Sequence, residues 1–331
     1  MITILKKLAL PVLMASWLAT PATTVAAEAY PAKAVRLIVP YAPGGGTDTM
    51  ARALAQKLGE IWQQKVIVEN KPGASESIAA SSVARSAADG YTLLFASDST
   101  FQLNPVLYKN LSYDPDKDLL PIVRFASSPF ALFVSADTGI DSFDAFIRHA
   151  KANRGQTFYG SYGVANSTNL GLAWLSQQFD LGMVHVPFAG QSPAMVALLG
   201  GEIQTLFGNV IPSSVGFIEK GRVKVLAVSG QQRLSSAPDV PTFRELGYDN
   251  LDTQYTLGLA APAGTPEAVQ RQIFEAVKQA VADPELAGNA DRTFSIQVFA
   301  EDAAQYRAFI EQSRQTMRER MQAAKLEKLD Q

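Results

Sequence analysis

Val35-Arg36-Leu37-Ile38-Val39-Pro40-Tyr41-Ala42-Pro43-Gly44-Gly45-Gly46-Thr47-Asp48 is the stretch that decides how this chain is read. An apolar run suited to a buried strand ends in Pro40 and opens into three consecutive glycines. Thr47 or Asp48 then starts an amphipathic stretch that keeps Met50, Ala51, Leu54 and Leu58 on one face. Glycines let backbone N–H groups approach a guest closely, and a helix start adds unpaired N–H donors and partial positive charge. Such a strand, loop and helix make a seat for an anion, or else a plain flexible turn. A second turn, Asn70-Lys71-Pro72-Gly73-Ala74-Ser75, follows about one βα unit later.

Outward from there, strand-like and helix-like stretches alternate. Apolar runs fit strands over 35–39, 66–68, 92–96, 131–134, 157–159, 183–186, 204–207 and 223–228. Helical periodicity covers 48–58, 78–87, 142–150, 170–179, 192–199 and 212–218, with Pro and Gly at the joins. A strand over 256–260, a helix over 266–281 capped by Thr265 and a long polar-faced helix over 301–326 complete the order. This alternation predicts an α/β fold of mainly parallel sheets flanked by helices, with ligands outside the carboxyl ends of the strands. Crossings near 125–129 and 229–241 would divide it into residues 28–125 plus 250–331, a discontinuous first lobe, and 126–249, a second.

The N-terminus reads as a secretory signal over residues 1–27. Lys6 and Lys7 precede an apolar middle from Leu8 to Ala19, and Val25-Ala26-Ala27 is the cleavage triplet. That middle is roughly 12 residues, too short to span a bilayer. The expected mature chain is therefore soluble and exported. The formal net charge of −2 becomes −4 once the two signal lysines are removed. A mildly acidic chain without a basic run gives nucleic acid no footing. The chain has no cysteine, which excludes thiol catalysis and sulfur-ligated metal.

Other chemistry fails on detail. The glycine run has Thr49 where a dinucleotide fingerprint needs glycine, and no Gly-Lys-Ser/Thr follows for a phosphate loop. Asp114, Asp116 and Asp118 imitate a calcium loop, but Leu119 and Phe125 occupy its glycine and glutamate positions. His149 and His185 are the only histidines, and no His-Glu-x-x-His pattern exists for zinc. Ser161 lacks the glycine two residues before it that a nucleophile elbow needs, since Tyr159 stands there. No enzyme, metal or cofactor is expected. Asp48 either meets ligand or caps its helix. Ser97, Ser99 and Thr100 either bind an acid group or close the turn after their strand. Ser161, Ser167, Thr168 and Asn169 make a second anion seat or ordinary capping. Tyr41 and Phe188 stack on ligand or pack a wall.

Several segments agree, in order and spacing, with a known family. They include Tyr30-Pro31, VRLIVPYAPGGGTDTMARALAQKL (35–58), VIVENKPGA (66–74), ADGYTLLFAS (88–97) and NPVLYKNLSYDPDKDLLPI (104–122). MVHVPFAGQSPAMVALLGGEIQTLF (183–207), APDVPTFRELG (237–247) and GLAAPAGTP (258–266) continue the series. Over essentially the whole mature chain the sequence resembles the Bug-type periplasmic receptors of tripartite tricarboxylate transporters. The resemblance implies a two-lobed, type II periplasmic binding-protein fold hinged about an interlobe cleft. It implies a small organic carboxylate as ligand, membrane permease subunits as partners, a periplasmic location, and a monomer. It places ligand contacts in the first lobe at Pro43, Gly44, Gly45, Gly46, Thr47 and Asp48, at Gly73, Ala74 and Ser75, and at Ser97, Ser99 and Thr100. In the second lobe it places them at Ser161, Ser167, Thr168 and Asn169, at Phe188 and Gly190, and at Asn209.

Three departures from the family pattern stand out. Ser75-Glu76-Ser77 replaces a second glycine-rich run, Thr168-Asn169 stand where a histidine is common, and Gly208 stands where Asp often precedes the asparagine. Losing an imidazole and an acidic acceptor predicts a roomier cleft and a di- or tricarboxylate ligand without a cationic amine, bulkier than aspartate or glutamate, such as an aromatic or longer-chain dicarboxylate. The rival functions are a carboxylate sensor for a signalling receptor, and an exported hydrolase, which the histidine-poor sequence disfavours.

Overall fold

The computed structural model describes residues 30–330 except Gly45, Ala165, Ala189, Gln231, Ser235, Ser236, Asp249, Asn250, Asp252 and Ser295. The signal segment and Gly45 thus lie outside the described residues. The elements run β1 (Val35–Val39), α1 (Gly46–Trp62), β2 (Val66–Asn70), α2 (Ser77–Ala84), β3 (Thr92–Ser97), a single π-helical turn (Ser99–Leu103), α3 (Asn104–Leu107) and β4 (Leu119–Ser135). They continue α4 (Phe143–Ala152), β5 (Phe158–Ser161), α5 (Ser167–Gln178), β6 (Val184–Pro187), α6 (Gln191–Leu199), β7 (Thr205–Asn209), α7 (Pro212–Glu219) and β8 (Val223–Val228). The last group is β9 (Gln254–Pro262), α8 (Glu267–Val281), α9 (Pro284–Phe294), β10 (Gln297–Glu301) and α10 (Ala303–Ala323).

Two parallel units carry the chain's alternating pattern: β2-β1-β3 and β6-β5-β7. The strand β4 joins them. From Leu119 to Pro129 it pairs antiparallel with β9, and from Phe130 to Val134 with β7. Because β9 is itself antiparallel to β3, β4 points the same way as β1 to β3. The sequence reading found only 131–134 of this strand, since Pro121 and Ser127-Ser128-Pro129 look like breakers. Pro121 sits at a register shift in the pairing with β9, where its missing N–H costs no ladder bond. The expected helix over 301–326 is Ala303–Ala323, because β10 takes up Glu301 and Asp302 caps α10 by accepting the N–H groups of Ala304 and Gln305.

Each sheet is covered on both faces, as alternation along the strands requires. In the first, Leu37, Val39, Leu93 and Phe95 meet Leu54 and Leu58 of α1 and Ile273 and Val277 of α8. Ile38, Leu94 and Ala96 face the other way, onto Ala79, Ala80 and Val83 of α2 and Tyr306 and Ile310 of α10. In the second, Phe130, Leu132 and Val134 pack with Phe146, Leu172 and Leu175, while Ala131 and Phe133 pack with Met195, Leu198 and Leu206. Each fully buried Leu or Phe contributes roughly 1.5–3 kcal/mol, enough for a cysteine-free chain to hold together by its core. The two halves also touch: Leu170 of α5 packs against Leu103, Val106, Leu107, Met317 and Met321.

Candidate ligand cleft

The loops after β1, β2 and β3 meet those after β5 and β7, and the middle of β4 at Ser128 and Phe130, around a cavity of about 900 Å³. From the first half, Tyr41, Gly46, Thr47, Gly73, Ser75 and Ser99 line it. From the second come Ser167, Thr168 and Asn209. These nine were expected from the sequence. The other expected residues among those described do not line it. Pro43 and Gly44 are exposed in the glycine loop, and Gly190 caps α6. Ala74 belongs to the turn before α2, and Phe188 packs on the core beneath β7. Ser161 is fully buried, bonded to the Gly163 carbonyl at 2.7 Å and to His185 Nε2 at 2.7 Å. Burial lowers the pKa of that imidazole, and neither histidine reaches the cavity.

Asp48, the third residue of α1, neither lines the cavity nor caps its helix; it braces the loop before it. Its buried carboxylate accepts the Gly44 N–H at 2.9 Å, Arg52 Nε at 3.0 Å and Asn70 Nδ2 at 2.8 Å. Burial pushes its pKa up, but the bonds from Arg52, Gly44 and Asn70 outweigh that and hold it below the usual range. This side chain fixes the glycine loop so that the start of α1, at Gly46 and Thr47, opens onto the cavity. Thr47 Oγ1 is then bonded to Tyr255 Oη at 2.8 Å.

The start of α5 follows the capping alternative. Asn166 Oδ1 accepts the N–H groups of Thr168 and Asn169, each at 3.0 Å, so the chain itself uses these donors of the expected second seat. Asn169 turns away, accepting Tyr159 Oη at 2.9 Å and donating to the Val164 carbonyl at 2.7 Å.

Two acids to which the sequence reading gave no role of their own dominate the electrostatics of the site. Glu76 is 3% exposed and borders the cavity. Its carboxylate accepts hydroxyl donors from Tyr41, Ser97 and, at 2.6 Å, Thr100. Ser97 and Thr100 therefore serve Glu76 from behind the wall. The backbone delivering Glu76 is strained: Ala74, Ser75 and Glu76 have φ of 44°, 47° and 75°. Three consecutive side-chain-bearing residues in the left-handed region cost on the order of 1 kcal/mol each, which the surrounding bonds must offset. Asn104 Nδ2 to the Ser75 carbonyl at 2.7 Å and Tyr108 Oη to Ser75 Oγ at 2.8 Å supply part of that.

Asp98, also 3% exposed, accepts Ser167 Oγ at 2.6 Å and so ties the first half to the second. Burial, with the Glu76 charge beside it, pushes its pKa up to about 7 against the pull of the Ser167 bond. Burial likewise raises Glu76, against the hydroxyls of Ser97, Thr100 and Tyr41. Tyr41 and Tyr255 are raised by burial and stay protonated donors. Among the described lining residues the charged ones are Glu76, Asp98 and Asp330, with no Lys, Arg or His.

The room expected from Gly208 is already filled. A Cβ there would lie 1.8 Å from Tyr162 Oη, which donates to Gln191 Oε1 and accepts the Asn209 N–H at 3.1 Å. Glycine at 208 thus makes way for a tyrosine that lines the cavity rather than for a larger guest.

A family model described as "Tripartite tricarboxylate transporter family receptor" matches residues 50–326. The chain belongs to that family. BugT of Bordetella pertussis is 33% identical to this receptor-family chain over 262 residues, 78% of this chain and 80% of BugT. The periplasmic binding protein BugD superposes with a TM-score of 0.76 at 28% identity, covering 91% of this chain and 100% of BugD. An R. palustris protein with adipate superposes with a TM-score of 0.80 at 25% identity over 91% of this chain and 100% of its own. The family's architecture, two lobes of the periplasmic binding-protein type, is the one seen here. Its members are solute-binding receptors rather than enzymes.

Proposed function

We propose that this chain is an exported solute receptor that closes two lobes on a small organic acid and delivers it to a membrane permease of the tripartite tricarboxylate type. The cavity between the halves carries this reading: 900 Å³ lies within the ~300–1,000 Å³ of small-molecule pockets, and both halves build its wall. The adipate held by a neighbour of the same fold supports an acid as guest. The α1 terminus at Gly46 and Thr47 is the seat for its acid group, since the helix dipole and first-turn N–H groups favour negative charge. Neutral donors suit a receptor that must release what it carries. An Arg fork would hold longer.

We set the hinge where β4 changes partners, between Pro129 and Phe130, and where the chain returns into β9 at Gln254. This moves the first boundary a few residues past 126 and keeps the discontinuous first lobe. The Asp98–Ser167 bond lies across this hinge, so ligand has a population of closed molecules to draw on. Thermal-shift and calorimetric screening of the mature protein against C4–C8 organic acids tests the reading. Saturable binding with a more compact solution scattering profile is expected. Screening that finds no ligand, with the profile unchanged throughout, would overturn it.

A further inference from the structure

We infer that Glu76 is a built-in carboxylate that occupies an acid-group cradle of the first lobe, so that with Asp98 it makes this end of the cavity a receptor for a ligand nitrogen bearing N–H donors. This rests on the receptor reading above and narrows its ligand to an organic acid whose far end carries an ammonium or carboxamide group. It reverses the sequence expectation of a guest without a cationic amine, because Glu76 and Asp98 supply acidic acceptors in place of the groups that the changes at 168 and 208 removed.

The cradle of Tyr41, Ser97 and Thr100 is a set of neutral hydroxyl donors converging on one carboxylate. That is what a guest carboxylate would seek, and the chain's own side chain fills it. The filling is enforced by the backbone, since Glu76 reaches the cradle only through the left-handed run of Ala74, Ser75 and Glu76. Asp98 adds a second buried acid on the same wall, and no Lys, Arg or His among the described lining residues balances the two. A guest ending in a second carboxylate would bring a further acid charge beside these two in a dry site, where repulsion is poorly screened, or force a proton onto one of them. A guest ending in N–H donors meets Glu76 Oε2 and Asp98 Oδ2, which each take one hydroxyl and can accept a further bond. Tyr41, Tyr108, Phe130, Tyr162 and Tyr255 supply the ring surface that accompanies such ends.

Calorimetry on the mature protein with three matched guests at each chain length from C4 to C8 tests this. The guests are the dicarboxylate, the ω-amino acid and the ω-carbamoyl acid. At the best-fitting length the wild type should bind a nitrogen-bearing guest at least tenfold tighter than the dicarboxylate. Whichever of the two is tighter tells ammonium from carboxamide. Glu76→Gly, which accepts the positive φ and empties the cradle, should reverse the order in favour of the dicarboxylate. Glu76→Gln keeps the side chain in place and should weaken an ammonium guest at least tenfold, with the fold checked by circular dichroism. Dicarboxylates binding the wild type more tightly, with the order unchanged in Glu76→Gly, would overturn the inference and leave the receptor reading standing. No binding by any guest at any length to wild type or variant would sink both.

Discussion

Replacing Gly208 with alanine tests whether the second lobe's wall is built around Tyr162. Gly208 lies in β7 opposite Ala131 of β4, and its backbone cannot move away without breaking that ladder. The added methyl would lie 1.8 Å from Tyr162 Oη and 2.8 Å from Cζ, so the ring must leave. Tyr162 then loses its bond to Gln191 and the one from the Asn209 N–H. Each is worth about 1 kcal/mol net, and a buried N–H left without an acceptor costs about as much again. Overpacking adds ~1–3 kcal/mol where the ring has nowhere to relax, and here it can swing toward the cavity, which favours the lower end. The expected loss is about 4 kcal/mol in urea unfolding, with an unchanged m-value and weaker ligand binding because the ring intrudes on the cavity. A loss below about 0.5 kcal/mol, or unaltered binding, would refute the claim that glycine is there to admit the tyrosine.

Three further outcomes follow from the same geometry. Asp98 titrates near 3.8 when unfolded and about 7 when folded, so its contribution is fully present below pH ~4 and is lost as pH rises to about 7. At ~1.4 kcal/mol per pH unit the decline is on the order of 4 kcal/mol, and Asp98→Asn should flatten it in urea titrations across that range. A decline equally steep in the variant would assign it elsewhere. Glu301→Ala should cost about 3 kcal/mol by chemical denaturation, because Arg124 is held by two bonds of 2.7 and 2.6 Å, is stacked 3.7 Å over Phe309 and would be left buried with its charge unpaired. A cost under 1 kcal/mol would mean that water replaces the carboxylate. Ser167→Ala removes the bond joining the halves at Asp98, worth ~1.5–3 kcal/mol for a charged acceptor, and should enlarge the ligand-free radius of gyration in solution scattering. An unchanged radius would exclude that bond as a latch.

The sequence made the two parallel units legible because buried strands and amphipathic helices have distinct periods, and Pro and Gly mark their joins. The glycine loop and the helix after it were equally plain. Two kinds of feature were hidden. The long strand β4 contains Pro121 and Pro129, which read locally as breaks, and only the pairing with β9 shows that the chain continues through them. The acids were hidden for a different reason. Glu76 looked like a departure from a glycine-rich run, and nothing local says that three non-glycine residues will accept positive φ to bury a carboxylate. Asp98, between two serines, reads as turn polarity until Ser167, sixty-nine positions later, is seen donating to it. Asn166, by contrast, is an ordinary N-cap residue, and its use of the Thr168 and Asn169 N–H groups was one of the two readings that the pattern left open.

The most direct test is a crystal structure of the mature protein with the guest that calorimetry ranks tightest. The account predicts that guest between Tyr41, Tyr255 and Asn209, with a nitrogen within hydrogen-bonding distance of Glu76 or Asp98 and an acid group at the start of α1. A guest carboxylate seated among Tyr41, Ser97 and Thr100, with Glu76 swung out, would contradict it.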